Sequence, residues 1–110
     1  MPWSVSFHLE VKYVPSHDLL ELVQSNPFVD SDAFRFTWEV TFLDDRARPF
    51  PSTIQTRSGL EVVAQRSHEL LTARVRDMKA PHALPIVERL TGARATTRAW
   101  STVQRLADAG

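Results

Sequence analysis

An α+β class is predicted by three observations. In residues 32–43, Phe34, Phe36, Trp38, Val40 and Phe42 fall on every second position with Arg35, Thr37, Glu39 and Thr41 between them, which is a strand with one dry and one wet face. Residues 3–14 alternate in the same way, with Val5, Phe7, Leu9, Val11 and Tyr13 against Ser4, Ser6, His8, Glu10 and Lys12. Farther along, Leu60, Val63, Ser67, Leu70, Leu71, Val75 and Met78 recur at helical spacing. Two amphipathic strands and one long amphipathic helix make a small, mostly antiparallel sheet with one face covered by the helix.

The first strand ends at Pro15, which has no amide to give to a ladder. Ser16 is placed as the N-cap of a short helix, Asp18 suits the positive end of its dipole, and Leu19, Leu20, Leu22 and Val23 form its apolar stripe. Asn26-Pro27 ends it, and Asp30, Ser31 and Asp32 turn the chain into the strand that carries the aromatic residues. Each ring there can bury roughly 150–250 Å², which makes that strand the floor of the core.

Residues 44–51 read as a loop, with Asp44, Asp45, Arg46 and Arg48 and two prolines bracketing Phe50. Residues 52–57 are a weak third strand, placed at an edge for want of apolar content. Ser58 and Glu61 stand at capping-box spacing ahead of the long helix, which runs to about Lys79. Ala80-Pro81 breaks it. Pro85 then sits at or near the start of another helix, buried through Ile86, Val87 and Leu90 and stopped by Gly92. In residues 93–109, Ala99, Trp100, Val103, Leu106 and Ala107 favour helix, while Thr96, Thr97, Thr102 and Val103 also tolerate a strand. The predicted order is β-α-β-β-α-α-α in a single domain, residues 1–110, with three strands. A terminal strand would instead bring the order close to a ferredoxin-like split βαβ.

Composition narrows function chiefly by exclusion. The absence of cysteine removes disulfides, thiolate metal sites and a cysteine nucleophile. With glycine only at 59, 92 and 110, no glycine-spaced phosphate loop can be built. His8, His17, His68 and His82 show no helical metal-ligand spacing, and Asp30/Asp32 and Asp44/Asp45 lie in polar turns. Neither a catalytic set nor a cofactor nor a metal is predicted. The first residues hold no basic-then-apolar leader, and no segment approaches the roughly 20 apolar residues of a membrane span, so a cytoplasmic address is expected. Net charge is zero, but residues 1–57 carry five basic and eight acidic side chains, and residues 58–110 carry eight and five. Such asymmetry suits a partner, or the attraction of two copies.

The expected function is therefore a non-catalytic protein-binding or assembly module, self-associating, with Arg46, Arg48, Phe50 and Trp100 as contact residues, since aromatics and arginines dominate interface hot spots. The alternative is a small DNA-binding regulator. Residues 85–106 have a helix-turn-helix outline, in which Arg94, Thr96, Thr97, Arg98 and Arg105 would meet the duplex.

Overall fold

The computed structural model describes residues 6–9, 12–44, 46–51, 53–54, 56, 58–66, 68–76 and 81–109. Ser6–Leu9 (β1) and Lys12–Pro15 (β2) form an antiparallel hairpin, with Leu9 opposite Lys12 and Ser6 opposite Pro15. The expected single first strand is thus folded back on itself, and residues 3–5, 10 and 11 of it lie outside the described residues. Pro15 does close β2, and Ser16–Gln24 (α1) follows without a break. Ser16 is the first helical residue rather than the cap.

The aromatic strand is Phe36–Leu43 (β3), followed by Leu60–Gln65 (β4), Glu69–Val75 (β5), the helix Ala83–Thr91 (α2), Ala95–Ala99 (β6) and the helix Trp100–Ala109 (α3). The sheet order is β4-β5-β3-β6, antiparallel at every pairing. This is an α+β fold with a mostly antiparallel sheet, of four strands rather than three.

The long helix expected over residues 58–79 is absent as far as it is described, since Leu60–Gln65 and Glu69–Val75 are the antiparallel strands β4 and β5. Gly59 has φ 93°, outside any helix, so the Ser58–Glu61 spacing caps nothing. Arg66 N–H donates to Glu69 O at 2.8 Å and closes the turn between the strands. Residues 77–79 lie outside the description. So do Ser52, Gln55 and Arg57 of the weak third strand, and the described residues of that segment form no strand. Beside the start of β4, Thr56 Oγ1 donates to Leu60 O at 2.8 Å.

The sheet is covered on both faces, not one. Val40, Phe42 and Leu71 turn toward α1 and α3 and pack with Leu19, Leu22, Phe28, Trp100 and Val103. Leu43, Leu70 and Ala95 turn the opposite way, against Ala83 and Val87 of α2 and against Phe50. β5 and β6 are parallel to each other with β3 between them and α2 joining them, a split βαβ; the alternative of a strand in the last segment is met at β6, while β5 comes from residues expected to be helical. The step from β3 to β4 also straddles one strand, but the described residues of that connection contain no helix. Residues 93–109 satisfy both readings, strand first and helix second. Among the described residues no helix is long and apolar enough to cross a membrane.

Candidate interaction site

The segment between α1 and β3 decides what the surface offers. Asp32 makes its turn: its Oδ1 accepts the Phe34 N–H at 2.9 Å, and its carbonyl accepts the Arg35 and Phe36 N–H groups at 3.1 and 3.0 Å. An aspartate bonded to the backbone two residues on is a turn that mimics the main chain. The strand consequently begins at Phe36. Phe34, expected on the dry face, projects into solvent at 93% exposure, and Val29 on the same segment is 67% exposed. The rest of the segment is anchored. Phe28 is buried, and Trp38 Nε1 donates to Ser31 Oγ at 2.8 Å.

Directly after the turn lies a niche of about 240 Å³. Its apolar walls are Phe36 and Trp38 from β3, Ala33 from the turn and Trp100 at the start of α3. Thr37, Ser101, Gln104 and Arg76 supply its polar groups. The niche exists because β6 stops at Ala99, opposite Glu39, so the first residues of β3 have no strand on that side. Arg76 is held there by its Nε, which donates to the carbonyls of Ala33 and Phe36 at 3.1 and 3.2 Å. Among the described residues no acidic side chain lines the space. Its volume lies below the roughly 300–1,000 Å³ usual for small-molecule sites, which suits one inserted side chain better than a cofactor.

The structure separates the residues singled out in the sequence. Arg46 and Arg48 are exposed, and Arg46 is tied to Asp44 through its backbone N–H at 2.8 Å and its Nη2 at 3.1 Å. That hydrogen bond, and then the carboxylate charge, draw the Arg46 pKa above its usual value. Phe50 is 7% exposed in the core under α2, and Trp100 is 6% exposed in the other core, presenting one part of itself to the niche. These four do not form one surface patch, since the two aromatic residues belong to different cores on opposite faces of the sheet.

The helix-turn-helix outline is corrected. Thr96, Thr97 and Arg98 lie in β6 and not on a helix, and Arg94 precedes that strand. Thr96 is buried on the sheet, and Thr97 shares a 2.8 Å hydroxyl hydrogen bond with Thr41. Only Arg105 lies on the second helix of the segment, exposed on α3. No recognition helix is available to carry the set into a groove.

Among the described residues no three His, Asp or Glu side chains come together in a way that would hold a metal ion. Of the niche residues, the sequence singles out Trp100 as a contact, whereas Arg76 and Gln104 are not among the candidate site residues. They are brought together from the end of β5 and the first turns of α3, which no local spacing displays. Comparison of the chain with protein-family models, with curated proteins and with solved structures finds no match.

Proposed function

We propose that the chain is a non-catalytic, cytoplasmic protein-binding module whose contact surface is the segment bearing Val29 and Phe34 together with the niche beside it. One observation carries the reading: a phenylalanine 93% exposed, next in the chain to Ala33, which lines a niche that also has three aromatic residues in its walls. A scattered exposed hydrophobe needs no explanation. A large one adjoining an aromatic recess, with an anchored arginine in the recess, has the composition of an interface hot spot. Both outer strands of the sheet are partly occupied by the chain's own groups, Thr56 on β4 and Glu88 on β6. Strand addition is thereby disfavoured, and side-chain contacts are left to do the binding.

The test is selection of displayed peptides on the folded protein, with Phe34→Ser as the counter-selected surface. Peptides that bind the parent, change the fluorescence of Trp38 and Trp100 and lose affinity on Phe34→Ser by about tenfold or more support the reading. Binding that ignores Phe34, or no binding at all, removes it.

A further inference from the structure

Resting on that reading, we infer that the occupant of the niche is a second copy of this chain, each copy inserting its Phe34 into the niche of the other about a two-fold axis. The argument begins with position. Knob and recess are neighbours on one patch, because Ala33 lines the niche and Phe34 is the next residue. A patch carrying both a projection and its complement side by side is self-complementary, which is the requirement of an isologous pair. Within one copy the ring stays outside its own niche, as its 93% exposure states.

Charge points to the same occupant. Among the described residues the recess contains Arg76 and no acidic side chain, while the segment that would enter it contains Asp30, Asp32 and Arg35, all exposed, two acids to one base. Asp32 is occupied in its own turn through Oδ1, so Asp30 is the carboxylate assigned to the partner copy's arginine. The Nε of Arg76 is committed to two carbonyls, which fixes the guanidinium while leaving its terminal nitrogens for a carboxylate. The Phe36 backbone is already engaged: its N–H goes to Asp32 and its carbonyl receives Arg76.

Area sets the strength. Two inserted phenylalanine rings, at roughly 150–250 Å² each, fall short of the roughly 1,200–2,000 Å² of a standard interface, so the pair is a weak and reversible one. Its dissociation constant is expected on the order of 10 µM to 1 mM.

The experiment is sedimentation equilibrium of the full chain across that concentration range, with NMR of the indole N–H groups of Trp38 and Trp100. Average mass should rise from one protomer toward two. Phe34→Ser and the niche-filling Gln104→Trp should each weaken the association by about tenfold or more, and Asp30→Lys by a smaller factor that shrinks as salt is raised. Both main positions are exposed, so neither substitution touches the core. In a mixture, unlabelled Gln104→Trp should shift the indole signals of labelled Phe34→Ser, because that combination retains one intact knob and one intact niche. A dimer that survives Phe34→Ser, or a mixture without those shifts, overturns the inference. A monomer that still binds selected peptides through Phe34 overturns it too, but leaves the protein-binding reading standing. A monomer that binds none through Phe34 ends both.

Discussion

Phe28 lies flat on Trp38, with ring centroids 5.1 Å apart and planes 7° from parallel, and meets Trp100 edge-on at 5.0 Å and 67°. One ring therefore ties the segment after α1 to both β3 and α3. Its burial at 2% exposure means that truncation leaves a cavity no neighbour can fill cheaply. Phe28→Ala is expected to cost about 3–5 kcal/mol. Urea denaturation followed by tryptophan fluorescence reads it directly, and a loss below about 1 kcal/mol, the scale of a surface change, would show that the segment is not anchored there.

Arg74 Nε donates to Glu39 Oε1 at 3.2 Å across β5 and β3, with side-chain exposures of 20% and 14%. Taking either partner away leaves the other charge in a poorly solvated place. Glu39→Gln or Arg74→Met alone should cost about 2–3 kcal/mol, below the full penalty for wholly buried pairs because some water remains. The joint replacement Glu39→Leu with Arg74→Met should recover most of that loss, since paired charges are often replaced by apolar groups without penalty. A double-mutant cycle checks it, and strictly additive losses would remove the coupling.

The sequence was most legible where a single face is buried. Trp38, Val40 and Phe42 alternate because one side of β3 meets the main core, and they mark the strand unaided. β5 was illegible for the opposite reason. Leu70, Leu71, Thr72 and Ala73 are all buried, since the sheet is covered on both sides there, and a continuous apolar run fits a helix as readily as a strand. Phe34 continued the alternation of β3 on paper and left it in space, because the Asp32 side chain holds the Phe34 N–H in a turn that ends where the strand begins at Phe36. The niche was hidden more completely. Its arginine and its glutamine stand far apart in the chain, and only the early end of β6 opens the space between them.

Thr72 is wholly buried in β5, and its hydroxyl has no hydrogen-bond partner among the described residues. Its cross-strand neighbours are Glu39 and Val62, neither of which satisfies it. A buried hydroxyl without a partner keeps its desolvation cost, and valine has nearly its shape. Thr72→Val is therefore expected to stabilise the fold by about 1 kcal/mol. Thermal denaturation suffices as the measurement, and a lower melting temperature would mean that the hydroxyl does useful work.

The outer edge of β6 is guarded by two side chains. The ladder alternates, so Phe42 and Val40 pair inward with Thr96 and Arg98, and the odd residues of β6 turn their backbone outward. There Glu88 of α2 accepts the Ala95 N–H at 3.2 Å, and Arg98 Nη1 donates to Thr97 O at 3.0 Å. An open strand edge is a template for another chain, and charged side chains on it are a usual remedy. Glu88→Ala should cost about 1 kcal/mol through the lost charge-assisted bond. Glu88→Gln, which keeps an acceptor, should cost less. Glu88→Ala combined with Arg98→Ala should form thioflavin-positive aggregates on warming sooner than either change alone. If the double variant aggregates no faster than a variant of matched stability, such as a core Val103→Ala, then the edge is protected by something other than these two residues.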